Sequence, residues 1–504
     1  MELEAVESAP PPAENGLHGN VLTALDAVVM AVAGSAPAYS LAATTAALVA
    51  AAGLASPAAL LWCGIPMLGI AWAFSYLGRA DVNAGASYSW VGRVLHPALG
   101  YLSGWALVVS ATIFMVAGSL PAGSLTLALF APSQQDSTWL VTVVGSVWFL
   151  VMVTCVLVGV RLTTRAQWVM STIEVAILVL FAIICMVHVA LGHHAGPDFS
   201  WSWLGFSHFN GMSGFVAAAL IAAFYYWGWD VSANLNEETK DARRASGIGG
   251  VIGVVIVFAL FELFTIASTM VLSPEAVANE SGNVLARLGQ VVWPGLGGKL
   301  LIVAVMLSTV ATLETTLIQV TRSLFAMGRD RTLPARFGMV HPRWRTPAFA
   351  TVVVAAVSLV LFIGSNFLGS INTILSDAIS AIGLQIAFYY ALAGLAVVVA
   401  YRRVLLESVN NFIFIGLWPL LGAVFMVFLF VESIPSLGAT VDLIGLGTLA
   451  AGLIPMTIYW AKGREYFVRR PLDLTEGEDG DGDGDAPQGP DDDPSPDAVR
   501  STAL

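Results

Sequence analysis

The chain has 504 residues, 57% of them hydrophobic and 11% charged, less than half the charge of an ordinary soluble domain at about 25%. Soluble classes are excluded: at a mean hydropathy of +0.79, most of the chain needs a solvent as apolar as itself, and one large membrane domain is expected. The net charge of −12 excludes nucleic acid as a partner, because no basic stripe exists to neutralise phosphates, and it is local: Asp473 to Leu504 hold eleven Asp/Glu and one Arg, −11 + 1 = −10.

Residues 1–20 lack a basic region ahead of the first apolar run, so they are read as a cytoplasmic tail and that run as a retained membrane helix rather than a cleaved signal. Apolar stretches long enough to cross a ~30 Å hydrocarbon core fall near 23–50, 57–77, 98–129, 138–160, 167–191, 212–235, 247–272, 299–327, 347–364, 371–401, 411–432 and 440–461. The sequence therefore predicts an all-α polytopic membrane protein of twelve helices over 21–465. Of 22 Lys and Arg, all but Arg287 and Lys299 fall on the side that follows the even-numbered helices, which puts both termini in the cytoplasm of a cell whose cytoplasmic membrane holds the chain. The segment 78–97 is expected to lie at the cytoplasmic interface, and 273–298 to carry a short external helix. Residues 466–504 are read as a disordered acidic tail. Cys63, Cys155 and Cys185 lie inside apolar runs and behave as small hydrophobes.

Two spans carry residues that a continuous membrane helix avoids. Helix 1 contains Gly34-Ser35-Ala36-Pro37, where Pro37 lacks an N–H and Gly34 eases unwinding. Helix 6 contains Trp227-Gly228-Trp229-Asp230, a glycine beside a carboxylate at a depth where an unpaired charge costs about 2.5–3.5 kcal/mol. Unwound backbone at that depth survives only when buried in protein or lining an aqueous cavity. Breaks in helices 1 and 6 are the spacing expected of two five-helix repeats of opposite orientation followed by two more helices. Read singly, either break is also compatible with a simple kink.

Glu174, Glu262, Glu314 and Asp377 are carboxylates inside spans, each a functional candidate or a neutral structural acid. His188, His193 and His194 have no carboxylate or Cys at ligand spacing, so no metal is expected. No nucleophile elbow or P-loop appears; neither catalysis nor a cofactor is expected.

Three patterns resemble the amino acid–polyamine–organocation permeases. The first is Ala84-Gly85-Ala86-Ser87-Tyr88-Ser89-Trp90 with Arg93, Gly100, Gly104 and Trp105. The second is Gly228-x-Asp230 with Glu237-Glu238-x-Lys240. The third is Arg322, then Met327-Gly328-Arg329-Asp330-Arg331-x-Leu333-Pro334, His341-Pro342 and Thr346-Pro347. The similarity covers roughly 17–465. It implies a five-plus-five inverted repeat, a midplane site between helices 1, 3, 6, 8 and 10, and import of amino acids or small amines by alternating access. Proton symport, uniport and exchange stay open, as do a polyamine or amine exchanger and a transport-dead receptor or scaffold of the same fold.

The resemblance also implies residue roles. Free N–H groups at the helix 1 break, Gly34-Ser35-Ala36-Pro37, would hold a substrate carboxylate, while carbonyls of helices 1 and 6 accept its ammonium. The family generally has Gly-Ser/Thr-Gly there; Pro37 contributes no donor, which keeps amines without a carboxylate open as substrates. Phe224 and Trp227, with Tyr225 beside them, are the expected aromatic lid over an ammonium, and Thr112 on helix 3 a polar contact. Glu174 stands where many family members carry a lysine that contacts helix 1. With Glu314 on helix 8 it is the expected proton-coupling acid.

Overall fold

A computed structural model describes residues 16–468 except 136, 281–282, 366, 368–370, 437 and 463. The described residues are helical throughout, with a single isolated bridge, Leu22 to Thr239, and no strand. In chain order the elements are α1 (Ala24–Ser35), α2 (Pro37–Ala52), α3 (Ser56–Ala80), α4 (Ser87–Val94), α5 (Pro97–Phe130), α6 (Thr138–Val158), α7 (Val160–Ala190), α8 (Gly211–Tyr225), α9 (Val231–Asn234), α10 (Ala242–Leu272), α11 (Pro274–Ala278), α12 (Val284–Val292), α13 (Gly297–Arg329), α14 (Ala348–Ser365), α15 (Ile371–Ala400), α16 (Val409–Ser433) and α17 (Ala439–Lys462). Ten runs are long and apolar enough to cross a membrane. Ala24–Ala80 is one of these runs and holds the α1–α2 break, while the short α8 is not among the ten.

Burial sorts these helices into an interior and a rim. The most apolar window is 78% buried in α13 and 72% in the Asp377–Ala400 part of α15, against 28% in α7 and 22% in α17. Helices that are hydrophobic all round can bury one face in protein and give the other to lipid; Trp139, Val169, Val360 and Val424 lie on that outer surface.

Four local features depart from the sequence expectations. The arginines Arg161 and Arg165 were expected in a loop, yet the chain turns at Gly159 alone (φ 139°) and both sit exposed on the first turns of α7. A hydropathy window scores Arg, Thr and Gln as loop, although they form helix well enough at a helix end. The segment 78–97 does not expose an amphipathic face: α4 is covered by protein, with Tyr88, Ser89, Trp90 and Val91 at 0% exposure. Asp81 holds it there, accepting from Ser89 Oγ at 3.0 Å and pairing with Arg93 at 3.0 Å. The segment 273–298 carries two helices, α11 and α12, rather than one. Finally, Tyr466 belongs to the packed structure rather than to a tail beginning at 466. It is 1% exposed, its ring stacks on Tyr88 at 4.9 Å, and its hydroxyl donates to the Tyr88 carbonyl. The acidic run from Asp473 onward and the first fifteen residues lie outside the described residues.

The end of the molecule rich in Arg and Lys is tied shut. Val21 and Leu22 donate to the Glu238 carbonyl at 2.9 Å each, and Lys240 N–H donates to Leu22 O at 2.7 Å. Glu238 receives both Nε (2.9 Å) and Nη2 (3.2 Å) of Arg322, with both side chains at 0% exposure. Glu237 takes Arg329 in the same bidentate way and also the Ala84 N–H at 2.8 Å. Asn234 adds bonds to Ala84 O and Ser323 Oγ. Residues from α4's approach, the α9 turn and α13 are thereby fastened to the start of α1.

Candidate functional site

The α1–α2 break forms because Ala36 adopts a left-handed conformation (φ 49°, ψ 66°) and Pro37 follows at the first position of α2, where its missing N–H costs nothing. Every early donor of α2 is already used. Pro37 has none, Ala38 N–H donates to Glu174 Oε1 at 2.9 Å, Tyr39 N–H to Ser308 Oγ at 3.1 Å, and Ser40 N–H to Ala36 O at 2.8 Å. Ala36 N–H is spent on Val32 and Ala33. Ser35 turns its hydroxyl back to Ala31 O. The expectation of free N–H groups at Gly34, Ser35, Ala36 and Pro37 is therefore corrected: a carboxylate is present at this helix start, and it is the protein's own Glu174, drawn there by the unpaired donors of a helix N-terminus. The carbonyls of Gly34 and Ser35 accept from Thr312 Oγ1 (2.9 Å) and Ser40 Oγ (3.0 Å).

The second break unwinds Tyr226 to Asp230, with Gly228 at φ 92°. The two breaks meet: a Cβ on Gly34 would run into the Gly228 carbonyl, and one on Gly228 into the Gly34 carbonyl. Asp230 is 1% exposed and accepts the hydroxyls of Tyr389 and Tyr390, each at 3.0 Å. Tyr389 receives the Trp227 indole N–H at 2.8 Å. Around this pair stands an aromatic enclosure in which Phe114 is the hinge. Its ring lies 5.4 Å from Trp227, 5.8 Å from Tyr39 and 6.3 Å from Phe224. The Tyr39 hydroxyl is buried without a hydrogen-bond partner. Aromatic faces and phenolic or carboxylate oxygens together suit a cation.

Of the expected site residues, Gly34, Ser35, Ala36, Pro37, Phe224, Trp227, Gly228 and Asp230 come together here. Thr112 does not join them through its hydroxyl, which donates to Val108 O of its own helix at 2.7 Å, the usual fate of such a hydroxyl. Tyr225 pairs with Thr45 at 2.8 Å and packs edge-on against Phe261. Glu174 caps α2 with one oxygen, and its Oε2 is buried without a partner. Glu314 is a separate acid, receiving Gln167 Nε2 at 2.6 Å. Glu262 lies on α10 with both oxygens buried and unpartnered, and Asp377 is half-buried on α15. His194 pairs with Asp198 at 3.4 Å, while His188 and His193 face each other at 5.4 Å.

Sequence reading missed Tyr39, Phe114, Ser308, Thr312, Tyr389 and Tyr390. The adjacent tyrosines Tyr389-Tyr390 inside an apolar span were a usable signal, since two phenols at membrane depth need partners.

The sequence pattern of the amino acid permease family matches residues 22–449, across both breaks. The chain belongs to the amino acid permease family. It is thus a multi-pass membrane transporter of the amino acid–polyamine–organocation superfamily, not an enzyme. Among relatives of this permease, the low-affinity putrescine importer PlaP of Escherichia coli K12 is 25% identical over 340 residues, 66% of this chain and 71% of the relative. The methylthioribose transporter of Bacillus subtilis 168 is 28% identical over 288 residues, 54% and 60% respectively. The serine/threonine exchanger SteT of the same organism is 25% identical over 331 residues, 65% and 70%.

Proposed function

We propose that this permease imports amino acids or related small amines across the cytoplasmic membrane by alternating access, with both termini in the cytoplasm and helices arranged as an inverted five-plus-five repeat with two more. The observation that carries this reading is the meeting of the two unwound breaks at Gly34 and Gly228, enclosed by aromatic residues from α2, α5, α8 and the turn after it, and α15. Non-helical backbone at membrane depth is retained where it recognises a ligand. The named relatives handle a diamine, a thioether sugar and hydroxy amino acids, which supports small-metabolite transport and leaves the substrate to this chain's own chemistry. The clamp of Glu237 and Glu238 on Arg329 and Arg322 closes the cytoplasmic side, so the site opens inward only when those pairs part.

Energy coupling is assigned to Glu174, with Glu314 as the second acid. One oxygen of Glu174 is held by α2 and the other is free to carry a proton, so movement of α2 and the protonation of Glu174 are linked. Uptake of radiolabelled substrates into proteoliposomes, over a panel of amino acids, polyamines and ethanolamine, tests the reading: time-dependent accumulation is expected for at least one. Binding without uptake would make the protein a receptor or scaffold on the same fold.

A further inference from the structure

We infer that the substrate is an aliphatic amine that carries no carboxylate. This deepens the transport reading and rests on it.

A substrate carboxylate needs donors, and none is left at the α2 start. Ala38 and Tyr39 give their N–H groups to Glu174 and Ser308, Ser40 gives its own to Ala36 O, and Pro37 has none. The occupant of the cradle is tethered. Glu174 is fixed to α7 and 0% exposed, so it competes at the effective concentration of an intramolecular ligand. At the other break stands a second buried acid, Asp230, which accepts the two tyrosine hydroxyls rather than capping α9. A substrate carboxylate would meet one of the chain's own acids at either break, without a Lys or Arg between. The hydrogen-bonding groups recorded at the enclosure include Tyr39, Tyr389, Tyr390, the Trp227 N–H, which is spent on Tyr389, Asp230 and the neutral amide of Gln319 beside it, none of them a cation.

The same inventory favours an ammonium. Asp230 accepts both phenols with Gln319 as a further side-chain neighbour, and its carboxylate is the charge an ammonium would pair with. Tyr39 Oη, buried and unpartnered, can accept from an ammonium as well as donate, and the faces of Phe114 and Trp227 complete the surroundings of a cation. The apolar walls tolerate a methylene chain. What the enclosure lacks is a Lys or Arg to pair with an anion, and a buried carboxylate without a charged partner is costly.

The experiment compares compounds that differ by one carboxylate: agmatine against arginine, putrescine against ornithine, ethanolamine against serine. Each is tested as a competitor of the best-transported radiolabelled member of the six, in proteoliposomes of the full-length protein. We expect the amine to compete at least about tenfold more tightly than its amino acid in the pair that is transported, because specificity here comes from an unpaired charge. Amino acids competing as well as, or better than, their amines would overturn the inference while leaving the transport reading intact. Absence of uptake and competition by all six would count against both. Glu174→Ala adds an independent arm: removing the tethered carboxylate frees the Ala38 N–H, and amino acid competition should rise. Glu174→Gln keeps an oxygen on that N–H and should leave the amine preference in place. A Glu174→Ala protein that inserts and elutes as the parent does, with unchanged preference, would overturn the role given to Glu174.

Discussion

Gly228 answers two demands at once. Its φ of 92° is a conformation that side chains resist, and its α-carbon faces the Gly34 carbonyl at a separation no Cβ can share. The close approach that needs a glycine here is that of the facing helix break. The consequence for mutation is sharper. Gly228→Ala should cost about 1–3 kcal/mol by overpacking and should abolish uptake even where the protein still reaches the membrane. Thermal unfolding of the purified protein and uptake on the same sample check this, and an alanine variant with parental uptake would remove the break contact from the mechanism. At Glu174, glutamine retains an acceptor for Ala38 N–H but cannot titrate. Glu174→Gln is therefore expected to lose accumulation driven by a pH gradient while retaining exchange between equal pools. The same comparison for Glu314→Gln reports whether the second acid, held by Gln167, shares the task. Full gradient-driven accumulation by both variants would leave these carboxyls as structural groups.

At the scale of elements, the clamp between the α9 turn and α13 is the clearest ionic feature. Arg322 and Glu238 are both fully buried, and removing one partner of such a pair costs about 3–5 kcal/mol because the other charge stays behind. Arg322→Gln should thus lower the unfolding temperature markedly. The double change Arg322→Met with Glu238→Leu should recover most of that loss, an outcome that scanning calorimetry or a thiol-reactive dye assay resolves. If the single variant melts with the parent, the pair contributes nothing to closure. These residues were visible in the sequence as parts of two patterns, Glu237-Glu238 and Arg322 to Arg331, but nothing local tells that they pair across 84 positions. The same holds for α4. Its amphipathic pattern looked like an interfacial helix because periodicity shows that one face is polar, not that Asp81 and Thr332 await it.

Over the whole molecule, hydropathy alone located most of the long helices to within a few residues, α7 and its early start at Val160 excepted, since a ~30 Å core imposes length on every crossing. Both breaks were legible too, as Gly and Pro are costly inside a helix. The occupant of the first break was not: Ala38 and Glu174 are 136 positions apart, and a donor satisfied from another helix leaves no mark on its own segment. The acidic run from Asp473 lies outside the described residues, and its expected disorder rests on composition alone. Deleting Leu474 to Leu504 should accordingly leave uptake unchanged, with a lowered substrate affinity as the result that would reverse this reading. A cut before Tyr466 should instead destabilise the protein, by the roughly 3–5 kcal/mol of a large-to-small aromatic change in a core.

Tyr466 also bears on how the protein is made. Its ring fills a seat formed by Tyr88 of α4, and its hydroxyl lies where α4 and α5 cross at Gly92 and Gly100, yet it follows Gly100 by 466 − 100 = 366 residues. During synthesis that seat exists long before its occupant does, so α4 and α5 must wait for nearly the entire chain, with the crossing open, until the last described turn emerges and docks. A ribosome that stops early, or a protease that trims too far, releases a molecule in which this one joint never closes, and quality-control machinery can read the empty joint as the mark of an unfinished protein.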